Sequence, residues 1–445
     1  MANAGGEHQV IDIEALSSSI ERELSDNLAM PPQCSIFKIP TILSRHSKDA
    51  FTPNAFSFGP FHHDNVQLKP TNRIKQKYLL DLISRLSKPN PLDRNPTDVI
   101  RYDSKLIRNF ITAISDVQNE ARDYYAGPIG MKADKFLEML VLDGCFIIEL
   151  FRKKSYPGLV ENGDPIFTMS CLFQFLYHDL ILLENQIPWL VLDTLFDLTK
   201  ITFIDTKPLV QLAIDFFDGI FSTKKTPIQP LLSTNHGSKH ILDLLRNLLV
   251  LNSDMNTKRT SFNVLERMHS ATRLEDSRIR FRTSEFSQSI LDIRFLSKTG
   301  VMEIPTLLIQ ETTETVFRNL ISLEQCCPGY EPIVTSYAVL LDNLIDTNED
   351  LQVLCKSKTI ISWLNIDDAT KIFNKLYIDT YVKKNYYDQL TTEVNRYSKR
   401  RCPRYIRVLK RDYFKHPWSI IAFIAASIAF VLTILGTLFD IINQE

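Results

Sequence analysis

The amino-acid sequence predicts a mainly α-helical protein: a single large helical domain, a short β element near 278–309 and one C-terminal transmembrane helix. Apolar residues recur mostly at three- and four-residue spacing, the period of an amphipathic helix. Glycine, which interrupts helices, is sparse, with 13 among 445 residues. The 22 residues from Trp418 to Phe439 include no charged side chain. No linker is visible before residue 396, so the helical part is expected to form one domain.

The first third of the chain predicts helices separated by a broken segment. Residues 12–25 (DIEALSSSIERELS) predict a short amphipathic helix. Five prolines within 26–68 predict an extended segment with turns, because proline interrupts helices. Helices are expected at 69–88 and 98–124, followed by an apolar helix over 133–154 that ends in cations, as the helix dipole favours.

Residues 168–198 are apolar enough to resemble a membrane span. Asp179, Glu184 and Asp193 are ionisable, however, and Pro188 divides the stretch. A pair of buried core helices is therefore predicted here.

Between 278 and 309 the periodicity changes. The sequence RIRFR alternates, and LDIRFLSKTGVMEIPTLLI predicts two short strands around a turn at Thr299-Gly300. Helices are expected to resume at 310–326, 331–346, 349–357 and 367–397.

Charge is distributed unevenly along the chain. The formal net charge is −1, but residues 396–415 alone carry nine positive charges against one negative, which leaves −9 on the remainder. An acidic body argues against general nucleic-acid binding. The basic run is better interpreted as a patch that faces anionic lipid headgroups.

The uncharged C-terminal stretch predicts a membrane anchor. At about 1.5 Å per residue, a helix of this length is about 33 Å long, enough to cross a hydrocarbon core of about 30 Å. The alternative is a buried core helix, but core helices are seldom uncharged over such a length. The residues expected to flank the membrane are Arg400, Arg401, Arg404, Arg407, Lys410, Arg411, Lys415 and Trp418.

These features predict five parts and an orientation. The basic flank marks the cytoplasmic side, and the N-terminus lacks the apolar stretch of a secretory signal, so the body is expected in the cytosol. The parts are an N-terminal segment with a short helix (1–33), a helical body (34–395), a basic juxtamembrane segment (396–415), a transmembrane helix (416–440) and a short tail (441–445).

Cysteine usage agrees with a cytosolic body. Seven cysteines are present, an odd number, and no pair has metal-ligand spacing. Reduced thiols are expected. No Asn-x-Ser/Thr glycosylation sequon occurs, which fits a body that does not enter the secretory lumen.

A search for catalytic motifs finds no Walker loop, nucleophile elbow, zinc-protease pair, EF-hand loop or dinucleotide fingerprint. The best local candidate is SFGPFHHD, where His62 and His63 precede Asp64. Adjacent histidines beside a carboxylate could bind a metal or act in acid–base chemistry. Consecutive side chains diverge, so structural imidazoles in a Gly-Pro turn are the preferred interpretation. His240 falls in a stretch that predicts a solvated polar loop.

Two further clusters lie in apolar segments. At Asp143-Gly144-Cys145, the thiol could be a nucleophile, but a close helix contact at the glycine is preferred because no partner base is visible. Two acids lie in the stretch from Asp179 to Glu184, and buried acids need partners. A structural network is preferred over a catalytic acid pair. The candidate partners are Arg278, Arg280, Arg282 and Arg318.

Ten segments in order resemble one plant family, the domain-of-unknown-function 247 proteins, also called UPF0481 proteins. Among them are IFKIPTIL, AFTPNAFSFGPFHH, MLVLDGCFIIELFR, DLILLENQIPWLVLDTLF, SATRLEDSRIRFR and HPWSIIAFIAASIAFVLTIL. The chain departs from the usual pattern at Phe61, where the family has Tyr, and near Arg273 and Ser277. The residues that match family motifs are Gly59, Pro60, His62, His63, Asp143, Gly144, Glu184, Asn185, Gln186 and Pro188.

The resemblance implies a plant membrane protein with a mostly helical body and no established activity, cofactor or catalytic residues. Some grass members of the family resemble self-incompatibility determinants, but nothing in this sequence marks it as one of them. The sequence therefore predicts no cofactor and no metal.

Three functional hypotheses follow. The first is a non-enzymatic, tail-anchored protein at the plasma membrane or endoplasmic reticulum. It would contact the lipid bilayer and an unidentified protein partner, not nucleic acid, in signalling or recognition. The second is a membrane-anchored hydrolase that uses His62 and His63 with the acids of 179–184. The third, a receptor-like protein with an external body, conflicts with the basic flank. No feature of the sequence assigns an oligomeric state.

Overall fold

The computed structural model is mostly helical, with 59% of residues in helices. It describes residues 12–25, 31–87, 103–201, 204–224, 227, 231, 237–254, 266–382, 384–401 and 417–442. The helices in this part of the chain are α1 (Ile13–Ser25), α2 (Thr41–Ser44), α3 (Asn72–Leu86), α4 (Ser104–Asp123), α5 (Ala133–Ser155), α6 (Pro165–Thr168), α7 (Ser170–Asp179), α8 (Trp189–Thr199), α9 (Leu209–Phe216), α10 (Ile241–Leu251), α11 (Ala271–Asp276), α12 (Thr313–Cys326), α13 (Ile333–Leu344), α14 (Asn348–Lys356), α15 (Ile366–Lys375), α16 (Asp388–Arg401) and α17 (Pro417–Ile442).

Two small sheets accompany the helices. Their strands are β1 (Arg280–Thr283), β2 (Arg294–Leu296), β3 (Val301–Ile304), β4 (Leu307–Ile309) and β5 (Ile360–Ser362). In the first sheet β3 is central, parallel to β1 and antiparallel to β2. In the second, β4 pairs in parallel with β5. The predicted β element and its turn are confirmed, whereas β5 was not predicted.

Helix α5 is the centre of the body. It contacts α3, α4, α8 and α9, and most of its residues are buried, polar ones included. Gly144 lies where a Cβ would collide with the Leu195 side chain of α8. The predicted close approach of a second helix at this glycine is therefore confirmed.

The predicted division of 168–198 is also confirmed. Helix α7 ends at Asp179, a turn follows, and α8 begins directly after Pro188. Proline suits this position because its fixed φ is compatible with helix entry and no N–H is lost from the helix interior.

Two predictions about the body are wrong. The single helix expected over 367–397 is two helices, α15 and α16. Between them Asp379 adopts a left-handed backbone (φ 66°), which a helix does not tolerate. Tyr387 is also buried there, and its hydroxyl donates to Leu291 O at 2.7 Å. His240 is not in a solvated loop. It is buried at the start of α10, where its Nδ1 accepts the backbone N–H of Asp243.

Helix α17 differs from every other described helix. Its stretch Trp418–Gly436 has a mean hydropathy of 2.5, and 0% of it is buried against the rest of the described structure. Among the described residues it is the one helix long and apolar enough to cross a membrane. This finding rests on length and composition, and it supports single-pass membrane association without assigning a membrane or an orientation.

Candidate functional site

Four of the family-motif residues, Gly59, Asp143, Asn185 and Gln186, meet Asp179 and Lys75 in one buried network, which we call the motif network. It joins the broken segment 54–59 to α5 and to the turn between α7 and α8. Asp179 anchors one end. Its carboxylate accepts the backbone N–H groups of Asn54, Ala55 and Phe56 at 2.7, 2.8 and 2.7 Å. The His178 Nδ1 also lies 3.0 Å from Oδ1, so three backbone amides and one imidazole surround the buried carboxylate.

Asn185 continues the network along the same segment. Its Oδ1 accepts the N–H of Phe58 at 2.7 Å. Its Nδ2 donates to the backbone oxygens of Phe56 and Asp179, each at 2.9 Å. Buried backbone N–H and C=O groups need hydrogen-bond partners, and a neighbouring strand usually supplies them. Here the Asn185 side-chain amide supplies them to the extended segment instead.

Asp143 and Lys75 form an enclosed ion pair at the other end. The Lys75 Nζ lies 2.6 Å from Asp143 Oδ1, and the two side chains are only 2% and 3% exposed. Asp143 Oδ2 accepts the N–H of Gly59 at 3.0 Å, and Lys75 also donates to Ser57 O. The Lys75 ammonium lies 4.6 Å from the centre of the Phe58 ring. Each charge is therefore both paired and hydrogen-bonded.

Gly59 and Gln186 make the closest backbone contact of the network. Gly59 has φ +70°, and a Cβ there would overlap Gln186 O. Gln186 Nε2 donates to the oxygens of Leu180 and Leu182 at 2.7 and 2.8 Å, and its Oε1 accepts the N–H of Leu242 on α10 at 3.2 Å. Only glycine fits a position that combines a left-handed backbone with such close contact.

Glu184 and the histidines lie at the edge of the network. The His62 Nε2 is 3.2 Å from Glu184 Oε2, with 19% and 18% exposure. The second oxygen of Glu184 accepts the N–H of Ile39 at 2.5 Å. His63 does not share this contact. Together with Pro60, it lines a neighbouring cavity of about 620 Å³ whose charged residues are Lys38, Asp64, Lys132 and Lys135.

The predicted cationic partners of these acids are wrong. Arg318 pairs with Glu314 at 2.8 Å, and Arg282 pairs with Glu303 on the adjacent strand. Backbone amides meet the charge of Asp179 instead. Lys75, which sequence reasoning missed, shares its face of α3 with the buried Tyr78 and Leu82. A lysine in that helical register is the signal that could have identified it.

Two buried cysteines, Cys145 and Cys327, are poor nucleophiles. Burial raises the pKa of Cys145 well above its usual value and raises the pKa of Cys327 to about 12. Neutral thiols attack carbon centres weakly. Among the residues that the structure describes, no group of three or more His, Cys, Asp or Glu side chains has the arrangement of a metal site.

The membrane-flanking residues are only partly described. The backbone of Arg400 and Arg401 ends α16, and Trp418 begins the apolar stretch of α17 with its ring exposed. The remaining predicted flanking cations lie outside the described residues. They are Arg404, Arg407, Lys410, Arg411 and Lys415.

Comparison with known proteins places these features in context. A family profile described as a plant protein of unknown function, DUF247, matches residues 36–432. A UPF0481 protein of Arabidopsis thaliana is 27% identical over 96% of this chain and 90% of its own length. A second UPF0481 protein of the same plant is 24% identical over 94% of this chain and 92% of its own length. No solved structure matches.

Proposed function

The chain belongs to the DUF247 family of plant proteins of unknown function, and from that premise we propose that it is a non-enzymatic, membrane-anchored protein whose helical body recognises a partner protein in signalling or cell recognition.

The observation that carries this proposal is the use made of the polar motif residues. The backbone of 54–59 and the Lys75 ammonium are the hydrogen-bond partners of Asp179, Asn185 and Asp143. A catalytic acid or base needs a proton that a substrate can reach. These side chains are enclosed and already hydrogen-bonded within the protein, so they stabilise the fold. Recognition would therefore fall to residues on the outer surface.

The proposed anchor is α17. Its uncharged stretch Trp418–Gly436 is unburied within the described structure, and a soluble protein would not leave so large an apolar surface in water. The basic run over 396–415 supports an orientation with the body in the cytosol. The plasma membrane or the endoplasmic reticulum would suit a span of this length.

One observation favours a second candidate, a membrane-anchored hydrolase. The His62 Nε2 lies 3.2 Å from Glu184 Oε2, the distance of a base beside a carboxylate, although the two atoms do not have hydrogen-bond geometry. The other acid proposed for that role, Asp179, is held by three backbone amides, and Glu184 itself fixes the N–H of Ile39. The pair therefore has a structural task that accounts for its geometry.

Cross-linking capture from plant membranes tests the proposal. The full chain and its His62→Gln variant would be expressed in plant cells and cross-linked before extraction. We expect the same partner protein with both forms, provided that both fold, as judged by thermal denaturation. Failure to recover a reproducible partner, together with ester or peptide hydrolysis that His62→Gln abolishes, would favour the hydrolase.

A further inference from the structure

A second cavity, of about 840 Å³, lies apart from the motif network. Side chains from α7, the end of α9, the start of α12 and the segment after β5 line it. We call it the aromatic groove and define it by Phe173, Tyr177, Phe216, Asp218, Glu311, Thr312 and Trp363.

Aromatic rings form one wall of the groove. Phe216 is the centre of the group, with ring centroids of Phe173 and Tyr177 at 5.4 and 5.9 Å. Trp363 is 70% exposed, although its backbone N–H is fixed to Ile309 O at 2.9 Å. A large exposed ring on a fixed backbone is typical of a contact residue for a partner.

The charge of the groove is predominantly negative. Asp218 and Glu311 are exposed on its rim, and Glu311 is oriented by a hydrogen bond from Gln174. Asp218 lies close enough to Tyr177 to add to the rise that burial causes in the pKa of that phenol. Lys154 also lines the groove, and its ammonium lies 5.0 Å from the centre of the Phe173 ring. The face of this aromatic ring can therefore bind a cation.

We propose that the aromatic groove binds an arginine-bearing segment of the partner protein. The guanidinium stacks on the aromatic wall, and Asp218 and Glu311 balance its charge. Arginine fits better than lysine because its flat, weakly hydrated group stacks on rings and presents five donors. This inference rests on the proposed function, that the body recognises a protein.

The test uses the full chain in nanodiscs of phosphatidylcholine, a neutral lipid that does not attract basic peptides. A displayed library of random heptapeptides is the first probe. We expect arginine to be enriched among the binders. The second probe is one enriched peptide and its copy with citrulline, which keeps the shape of arginine without its charge. The copy should bind about tenfold more weakly, the scale of a partly desolvated cation–π contact.

Variants then locate the site. Trp363→Ala and Glu311→Gln should each weaken binding of the enriched peptide by up to about tenfold, as the citrulline copy does. Both side chains are exposed, so neither substitution should lower the midpoint of thermal unfolding. The matched controls are Tyr381→Ala, an exposed ring outside the groove, and Glu275→Gln, an acid outside it. Both should bind like the unchanged chain.

The outcomes separate this inference from the proposed function. If a partner is captured from plant membranes and the groove variants retain it fully, recognition stands and the groove is the wrong surface. If the library yields no arginine-bearing binder, or the citrulline peptide binds equally well, the inference is overturned. If no partner protein is captured by any form, the proposed function fails as well.

Discussion

Helices α5 and α17 are both long and apolar, with 23 and 26 residues, yet their surroundings are opposite. Helix α5 is enclosed by protein and carries buried charges, each with a partner. The pairs are Asp143–Lys75 at 2.6 Å, Glu149–Arg85 at 2.5 Å, Arg152–Asp205 at 2.9 Å and Lys153–Asp164 at 2.8 Å. Helix α17 has no charged side chain from Trp418 to Gly436, and its Ser427 and Thr433 hydroxyls donate to its own backbone.

The difference shows what apolar content alone leaves open. A helix that is buried in protein can carry charges, because neighbouring elements supply partners. A helix surrounded by lipid has no such partners and satisfies its polar groups internally. The position and pairing of the few polar residues, more than mean hydropathy, therefore distinguish a core helix from a membrane span.

The largest effect is expected where a charge of α5 loses its partner. Asp143→Ala leaves Lys75 buried and unpaired and removes the acceptor of the Gly59 N–H, so the folded state should lose about 3–5 kcal/mol. Chemical denaturation of the full chain in detergent measures this loss. Glu138→Ala on the same helix breaks an exposed pair with Lys135 and should leave the stability almost unchanged. Equal losses would contradict the account of α5.

The next effect concerns α17. Ile428→Arg places a charge near the middle of the apolar stretch and should disfavour membrane insertion by about 2.5–3.5 kcal/mol. Alkaline carbonate extraction of membranes measures the retained fraction, and Ile428→Leu is the matched control. Leu198→Arg, at an exposed position of the body, should leave that fraction unchanged. Full retention of the Ile428→Arg chain would argue against a span.

An effect of comparable size tests the motif network. Gly59→Ala should cost about 2–5 kcal/mol, because a left-handed backbone costs about 1–2 kcal/mol and crowding adds about 1–3 kcal/mol. Gly127 has φ +84° but open space around it, so Gly127→Ala should show the backbone cost of about 1–2 kcal/mol alone. Denaturation midpoints compare the two. Indistinguishable midpoints would mean that 54–59 is not pressed against Gln186 in solution.

The smallest effect depends on pH. Burial, opposed by Asp243 and assisted by Lys239, lowers the pKa of His240 to about 4. Because the unfolded imidazole titrates near pH 6.5, the unfolded chain binds more protons between about pH 6.5 and 4. The contribution to stability is therefore full above about pH 6.5 and is lost progressively as the pH falls toward 4.

His240→Asn isolates this effect, because asparagine can still accept at the start of α10 but does not titrate in this range. The difference in stability between the two chains should shrink as pH falls from 7 to 4. Membrane association should not follow pH in the same way, since Trp418–Gly436 has no titratable side chain. A constant difference in stability would mean that the His240 imidazole titrates alike in the folded and the unfolded chain.

The elements that could be predicted have local signatures. The periodicity gave the helical class, Pro188 marked the division between α7 and α8, and Thr299-Gly300 marked the turn between β2 and β3. Gly144 in an apolar helix indicated a close packing partner. Each of these follows from a few neighbouring residues and their backbone preferences.

The features that could not be predicted depend on distant contacts. Asp179 finds its donors 123 to 125 residues earlier in the chain, and a hydrogen bond to a backbone amide leaves no trace in side-chain composition. Strand β5 has three residues and exists through its pairing with β4. The aromatic groove combines side chains from separate elements, and none of them forms a motif alone.

Topology mapping in sealed microsomes tests the central claim, that α17 spans the membrane and the body faces the cytosol. The full chain would carry an epitope at its N-terminus and a glycosylation sequon in a C-terminal extension. We expect added protease to remove the N-terminal epitope and digest the body, while the C-terminal sequon is glycosylated. A protected body with an unmodified C-terminus would contradict the orientation, and digestion of both ends would contradict the span itself.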